Sequence, residues 1–219
     1  ADDSVALSTL IDAAGYAGAS NSDWEDLAAG NFCGGPEKEL VLLKNKHSNF
    51  SILRGPVPFA VGTGDLISNS SHPWRAVAAA NLDGGPYDEI VAVRKVTSAG
   101  VPDLIVAKTN GSCDVSSVVA SAQVGNQANS EWLDAAVGRF DGTGKMQIAL
   151  LKPKHSNIVL VNFTAPGTLT VSSSFDLDNN PAGKWKALAA GDIDGDGIDE
   201  LVVARQIDSN ATSTVLVYK

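Results

Sequence analysis

Residues 185–205 read WKALAAGDIDGDGIDELVVAR, and three earlier stretches of the chain repeat the same plan. Each stretch begins with a tryptophan, runs through small residues to a glycine-rich turn, and ends in a short apolar run. The tryptophans that begin them lie 50 to 58 residues apart, at Trp24, Trp74, Trp132 and Trp185. A period near 50 residues with several short β-branched runs per unit is typical of stacked β repeats. The pattern therefore predicts an all-β fold made of four similar units.

Each unit divides into four segments of strand length, which predicts a β-propeller of four blades with four antiparallel strands each. The predicted blades span about 24–73, 74–131, 132–184 and 185–219, all within one domain of residues 1–219. The fourth unit lacks an outer strand, and we expect residues 1–23 to supply it and close the ring, which would remove open sheet edges. The alternative is half of a larger propeller, cut from a longer precursor or completed by a second chain.

The sequence also has a longer repeat, which spans two units. The sequence KHSN follows the second strand in units one and three, at residues 46–49 and 154–157, and is absent from units two and four. This alternation indicates a duplication of a two-unit segment and approximate two-fold symmetry about the ring axis.

The turn of the fourth unit has the composition of a metal loop. Carboxylates at alternating positions of a tight turn aim at one centre, and Ca²⁺ prefers six to eight oxygen ligands. The predicted ligands are the side chains of Asp192, Asp194, Asp196 and Asp199 or Glu200, with the carbonyl of Ile198. A Gly/Asp hairpin turn without an ion is the alternative.

The stretch GDIDGDGIDELVVAR resembles the FG-GAP repeat of integrin-α-like propellers, a family that also includes propeller lectins. The resemblance covers all four units in spacing but the full motif only in the fourth. It implies Ca²⁺ at that turn and a weaker second site at Asn81, Asp83 and Glu89. In unit one, Cys33 and Gly35 stand at two of the ligand positions, and in unit three Arg139 and Gln147 stand at two of them. We expect no metal site in either unit.

Several features favour a secreted eukaryotic protein, extracellular or vacuolar. The two cysteines, Cys33 and Cys113, fall in turns at one end of neighbouring units, and we expect a disulfide; two free thiols are the alternative. The chain begins with Ala1, as after removal of a signal peptide. Glycosylation sequons, which suit a glycoprotein, occur at Asn49, Asn69, Asn110, Asn162 and Asn210.

Two sets of residues are candidates for ligand binding or catalysis. The tryptophans Trp24, Trp74, Trp132 and Trp185 offer faces for stacking a sugar, although their identical contexts favour packing between blades. Asp26 and Asp134 follow two of them at the same spacing and would face each other across the axis as candidate catalytic carboxylates. Hydrogen bonding to backbone amides is the more ordinary role for this pair.

Composition narrows the function classes. The formal net charge is −9 and no Lys/Arg cluster occurs, which argues against a nucleic-acid partner. No apolar run is long enough to insert into a membrane. We expect a non-catalytic, lectin-like protein that binds carbohydrate or glycoprotein glycans with Ca²⁺. A polysaccharide hydrolase, or an accessory domain of one, and a protein-recognition platform remain alternatives, and a homodimer stays open.

Overall fold

The computed structural model describes residues 24–44, 50–54, 60–67, 72–125, 131–153, 157–177, 184–205 and 215–219. Within these ranges the chain forms 15 β-strands in four antiparallel sheets and contains no α-helix. No helix in the described part is long and apolar enough to span a bilayer. The predicted all-β, antiparallel class is confirmed.

The strands follow one another through the sheets in chain order. Sheet 1 contains β1 Trp24–Gly30, β2 Glu39–Lys44, β3 Phe50–Arg54 and β4 Ala60–Gly64. Sheet 2 contains β5 Trp74–Ala80, β6 Glu89–Arg94, β7 Leu104–Thr109 and β8 Val115–Ala122. Sheet 3 contains β9 Asp134–Gly138, β10 Gln147–Leu151, β11 Ile158–Thr164 and β12 Thr168–Phe175. Sheet 4 contains β13 Trp185–Gly191, β14 Glu200–Arg205 and β15 Val215–Tyr218.

The first strand of three sheets carries the same irregularity. The pairing register shifts between the initial tryptophan and the second residue after it, at Trp24, Trp74 and Trp185. Such a bulge turns the side chain at the strand start and raises the local twist. The repeated phrase therefore specifies the same strand geometry in each of these sheets.

The sheets pack face to face, with hydrophobic clusters between neighbours. Alternate residues of a strand point to opposite faces, so a sheet between two others is apolar on both. Strand β6, EIVAVR, is buried at all six positions for this reason. The first strands contact one another in the order β1, β5, β9, β13. Small residues at Ala76, Ala78, Ala135 and Ala136 allow this close approach.

The first strands contact one another as a row. Among the described residues, no contact comparable to those within the row joins β13 back to β1. The expected closure of four blades into a ring is therefore not seen in this part of the chain. The segment expected to complete the fourth blade, residues 1–23, lies outside the described residues.

Candidate functional site

A buried glutamate closes the hairpin between the first and second strands in three sheets. Oε2 of this side chain accepts a backbone N–H from the residue seven positions earlier. The bonds are Phe32 N to Glu39 (2.8 Å), Leu82 N to Glu89 (2.7 Å) and Ile193 N to Glu200 (2.9 Å). Each glutamate is at most 4% exposed, so its charge is held away from bulk water. A buried carboxylate in this setting needs a positive partner nearby.

The partner comes from the third strand of the same sheet. In each of these sheets the apolar residue after the glutamate pairs with a residue of the third strand. The basic residue comes directly after that paired residue. The pairs are Arg54 with Glu39 (3.7 Å), Lys108 with Glu89 (3.8 Å) and Lys219 with Glu200 (3.4 Å). In sheet 3 both members are neutral, and Gln147 Nε2 donates to Asn162 Oδ1 at 2.8 Å. Across the four repeats, the glutamate of the second strand and the basic residue after the third-strand pair are therefore either both present or both replaced by amides.

Sheet 4 holds the predicted metal loop. Glycines at positive φ, Gly195 at 80° and Gly197 at 88°, allow the tight turn. Both of their N–H groups donate to the carboxylate of Asp192, at 2.7 and 2.9 Å. Ligand atoms of Asp192, Asp194 and Glu200 all lie within 4.8 Å of one another. The structure therefore brings together three of the residues that the sequence predicted.

An ammonium group lies against this cluster. Lys219 Nζ is 2.6 Å from Asp194 Oδ2 and 2.5 Å from Asp196 Oδ2. These hydrogen bonds raise the pKa of Lys219 above its ordinary value and lower that of Asp196. Oε1 of Glu200 is buried, and its partner is the same ammonium group at 3.4 Å. The carboxylates of this loop therefore favour a bound cation, and the ammonium group of Lys219 supplies that positive charge.

The structure places Asp199 elsewhere, contrary to its predicted part in the metal loop. Its Oδ2 accepts the backbone N–H of Arg139 at 2.6 Å, and its own N–H donates to the Arg139 carbonyl at 2.9 Å. Asp88 does the same between sheets 2 and 1, with Asn31 at 2.8 Å in both bonds. These aspartates join neighbouring sheets, and Asp199 is not among the clustered ligands.

Most of the side chains predicted to form a second metal site, in sheet 2, bind other groups of the protein instead. Asn81 accepts the N–H of Gly84 at 2.7 Å and donates to the carbonyl of Gly85 at 2.6 Å. Lys108 forms a close ion pair with Asp83 and lies near Glu89. The hydrogen bond from Lys108 lowers the pKa of Asp83, and burial raises the pKa of Glu89. A lysine therefore occupies the position where a second ion was expected.

The neutral pair of sheet 3 lies beside an open cleft. A cavity of about 220 Å³ is lined by Asp141, Thr143, Lys145, Met146, Asn162, Phe163 and Thr164. The corresponding space in sheet 2, lined by Asp83, Glu89 and Lys108, is only about 30 Å³. Asp141 Oδ1 accepts from Thr143 N (2.9 Å) and Oγ1 (2.6 Å), and these bonds lower the pKa of Asp141. Two charged side chains, one amide and two hydroxyl side chains thus line the cleft together with Met146 and Phe163.

Three of the four tryptophans are unavailable to a sugar. Trp74, Trp132 and Trp185 are 1–2% exposed, which overturns their assignment as sugar-stacking residues and supports packing. Each of the four rings lies near a cation that ends the second strand of its own sheet, at 5.4–5.8 Å from the ring centroid. Trp24 differs, with 38% of its surface exposed.

The two candidate catalytic carboxylates bind backbone. Asp26 Oδ2 accepts from Val77 N at 2.8 Å, and Asp134 Oδ2 accepts from Leu188 N at 2.7 Å. The other oxygen of each accepts the next residue's N–H at 2.8 Å. The two aspartates join sheet 1 to sheet 2 and sheet 3 to sheet 4, the role expected of a structural pair. Burial raises the pKa of both, that of Asp134 to about 6, with a contribution from the charge of Asp26.

This raised pKa predicts a pH dependence of stability. Because the folded state favours protonated Asp134, its contribution is fully present below pH 3.8 and is lost as the pH rises through about 6. The loss amounts to about 3 kcal/mol by pH 7, of which about 2 kcal/mol falls between pH 4.5 and pH 7. Asp134→Asn should abolish this component, whereas Asp114→Asn, at an exposed position, should keep it. Denaturant unfolding at pH 4.5 and pH 7 measures the difference. An equal pH dependence in wild type and Asp134→Asn would contradict the assignment.

The remaining predicted sites have mixed outcomes. The disulfide is present and joins Cys33, in the first hairpin of sheet 1, to Cys113, between β7 and β8 of sheet 2. Asn110 is exposed, whereas Asn162 is half-buried in the sheet 3 cleft. The sequons at Asn49, Asn69 and Asn210 lie outside the described residues.

No role was predicted from the sequence for the basic residues at the ends of the third strands. The signal was present, because the apolar runs SILR, IVAK, VLVN and VLVYK end at Arg54, Lys108, Asn162 and Lys219. Comparing these four ends with Glu39, Glu89, Gln147 and Glu200 would have revealed the paired change. The cleft of sheet 3 follows from the same comparison, since only there are both charges absent.

Comparison with known proteins confirms the repeat. Residues 139–203 match the model of the FG-GAP-like repeat. No curated protein sequence matches the chain significantly. A lectin from Agrocybe aegerita, solved to explain its recognition of non-reducing terminal N-acetylglucosamine, is similar in structure, with a TM-score of 0.51 and 16% identity over 86% of this chain and 51% of the lectin. The major allergen Mala s 1 of Malassezia sympodialis has a TM-score of 0.54 and 8% identity over 88% of this chain and 54% of the allergen. The chain spans about half the length of these structures, and at such identities the likeness concerns the fold.

Proposed function

We propose that the four sheets are consecutive blades of a β-propeller that binds carbohydrate without catalysis. The FG-GAP-like repeat at 139–203 and the fold shared with a lectin support this function class. The central aspartates are already hydrogen-bonded to backbone amides, which favours binding over hydrolysis. The observation that carries the proposal is the 220 Å³ cleft of sheet 3.

The chemistry of this cleft suits a single sugar residue. Sugar hydroxyls need both donors and acceptors, and Asp141, Asn162 and the hydroxyls of Thr143 and Thr164 provide them. Met146, which is half-buried, supplies an apolar surface for the C–H face of the ring, whereas Phe163 lies mainly in the core between sheets 2 and 3. In sheet 2 the charge pair of Lys108 with Asp83 and Glu89 fills the equivalent space, which supports sheet 3 as the binding blade.

A glycan array tests this function. Wild type should bind a defined set of glycans, with those ending in N-acetylglucosamine as the first to examine. Asp141→Ala should lose at least about tenfold in affinity, since a charged hydrogen bond contributes about 1.5–3 kcal/mol. Asp114→Ala removes an exposed aspartate away from the cleft and should bind as wild type does. Absence of binding to every glycan, together with release of reducing sugar from a polysaccharide, would favour the hydrolase instead.

We propose further that the loop of sheet 4 binds Ca²⁺ as a structural ion. Asp192, Asp194 and Glu200 fit a hard cation because their oxygens converge, and the buried Oε1 of Glu200 already lies 3.4 Å from the ammonium group of Lys219. Lys219 would have to leave Asp194 and Asp196 for the ion to enter. Calcium and the ammonium group therefore compete for one position. The ion would neutralise the loop and stiffen it, and no chemistry at the sheet 3 cleft requires it.

Calcium removal tests this competition. EDTA should lower the Tm of wild type by a few degrees, and Lys219→Met should bind Ca²⁺ at least about tenfold more tightly because the competing charge is gone. Lys186→Met, which removes an exposed lysine from the same sheet, should leave the affinity unchanged. Calorimetric titration of the three proteins measures it. If EDTA leaves every melting curve unchanged and Lys219→Met binds no calcium, the lysine is the permanent cation of this loop.

We propose that the domain functions in an oxidising, secretory setting as a glycoprotein. The Cys33–Cys113 disulfide supports this, since such bonds persist outside the reducing cytosol. Asn110 is the described sequon with an exposed side chain. Mass spectrometry of protein from a eukaryotic secretory host should find a glycan on Asn110, and an unmodified Asn110 would argue against this part of the proposal.

A further inference from the structure

The interface between sheets 2 and 3 shows how two blades of this chain recognise each other. Alternate residues of sheet 2 face sheet 3, and both faces are fully covered. From sheet 2 these are Ala76, Ala78, Val91, Val93, Leu104 and Val106. From sheet 3 they are Trp132, Ala135, Ile148, Leu150, Val159 and Val161. All are at most 9% exposed, so this interface is closed and apolar.

Sheet 4 repeats the sheet 2 face, but exposed. The pairing registers of the two sheets match strand by strand, which identifies the equivalent positions. They are Ala187, Ala189, Val202, Ala204, Val215 and Val217, which we name end face 4. Val215 and Val217 are 55% and 57% exposed, whereas their equivalents Leu104 and Val106 are completely buried.

Sheet 1 repeats the sheet 3 face, again exposed. Its registers match those of sheet 3 and identify the equivalent positions as Trp24, Leu27, Leu40, Leu42, Ser51 and Leu53, which we name end face 1. All of them are apolar except Ser51, which is buried. Leu27 is 60% exposed and Leu40 is 39% exposed, whereas Ala135 and Ile148 at the same positions are buried. Exposed leucine and tryptophan side chains on one sheet face mark an interaction surface.

The alternation of the repeats points to the same pairing. Sheets 1 and 2, and sheets 3 and 4, are joined by Asp26 and Asp134 reaching the backbone of the next sheet. Sheet 2 has Ala76 at that position and joins sheet 3 through apolar contact. Sheet 4 has Ala187 there, so its next neighbour should also be joined by apolar contact. Sheet 2 packs on a face of sheet 3, and end face 1 is the corresponding face of sheet 1.

We propose that end face 4 of one chain packs on end face 1 of a second copy, and that two copies close one ring of eight blades. The first strands of a single chain form a row, and among the described residues β13 and β1 have no contact comparable to those within the row. Eight blades is within the known range for propellers.

The symmetry makes this association self-limiting. A head-to-tail contact forms a closed ring when its rotation returns to the start. Each dimer contains two identical interfaces, one at each junction between the copies. Both apolar end faces are then covered, so neither is left to recruit a further chain. The interface is separate from the sheet 3 cleft and does not depend on sugar binding.

The test is the mass of the chain in solution. Light scattering after size exclusion should give wild type twice the 22.6 kDa of one chain. Val217→Lys and Leu27→Asp each place a charge in both interfaces and should weaken association at least about hundredfold, giving monomers. Val171→Lys, at an exposed valine of β12 outside the end faces, should remain a dimer. Circular dichroism should show that all variants keep the β fold, since these side chains are exposed in one chain.

Mixing the two monomeric variants makes the test specific. Only a mixed pair contains one unaltered interface, between the native end face 4 of Leu27→Asp and the native end face 1 of Val217→Lys. The other interface then holds opposite charges, so dimers should reappear in the mixture. A monomeric wild type would overturn the proposal, whether its own end faces meet or stay open. Variants that all remain dimers would overturn it too, because the contact would lie elsewhere.

Discussion

Removing the disulfide between Cys33 and Cys113 is expected to lower the free energy of unfolding by about 4 kcal/mol. The two cysteines are 80 residues apart, and a crosslink across so long a segment strongly restricts the unfolded chain. Both side chains are buried at the junction of sheets 1 and 2, so the folded state also loses packing. For a chain of this length the double variant Cys33→Ala/Cys113→Ala should melt about 10 °C lower.

Reduction provides the control for this prediction. Dithiothreitol should destabilise wild type by a similar amount and leave the double variant unchanged, which separates loss of the crosslink from the side-chain replacement. Denaturant unfolding with and without reductant measures both. A double variant as stable as oxidised wild type would show that the hydrophobic contacts between sheets 1 and 2 are sufficient alone.

Exchanging the charge pair of sheet 2 for the neutral pair of sheet 3 is expected to be much less harmful than changing the acid alone. Glu89→Gln would place an amide donor near the ammonium of Lys108 and should cost about 2 kcal/mol. Adding Lys108→Asn recreates the Gln147–Asn162 hydrogen bond of sheet 3. The double variant should recover at least about 1 kcal/mol, a coupling expected of groups in direct contact.

A double-mutant cycle by denaturant unfolding measures this coupling. Lys38→Asn, which removes an exposed cation paired with Asp88, is the matched control and should show no coupling to Glu89→Gln. Additive effects of Glu89→Gln and Lys108→Asn would mean that the paired change across the repeats has no energetic basis.

The repeat spacing predicted most of the fold. The tryptophans mark β1, β5 and β13 at their first residues, and the glycine-rich turns separate first from second strands as expected. Ring closure through residues 1–23 stays a prediction, because this segment lies outside the described residues and periodicity indicates only how each unit contacts the next. Closure depends on the two end faces, whose apolar residues look the same in sequence whether they are covered or exposed.

The candidate site was only partly predictable. The spacing of Asp192, Asp194 and Glu200 anticipated their convergence, because a tight turn places such positions together. Of the two alternatives for the last ligand, Glu200 joins the cluster, whereas Asp199 accepts the backbone N–H of Arg139 in another sheet. Lys219 and Asn162 are far along the chain from the loops they contact, and only the register of the third strand brings them there. Local sequence patterns do not reveal such contacts.

Sugar binding in the sheet 3 cleft is tested most directly by titrating isotope-labelled protein with a glycan ending in N-acetylglucosamine. Backbone amide shifts should change at Thr143, Lys145, Met146 and Phe163, saturably, and should not do so in Asp141→Ala. Hairpins of sheets 2 and 4, where Lys108 and Lys219 neutralise the carboxylates, should stay unchanged. Saturable shifts confined to another surface, or no shifts at any sugar concentration, would contradict the claim.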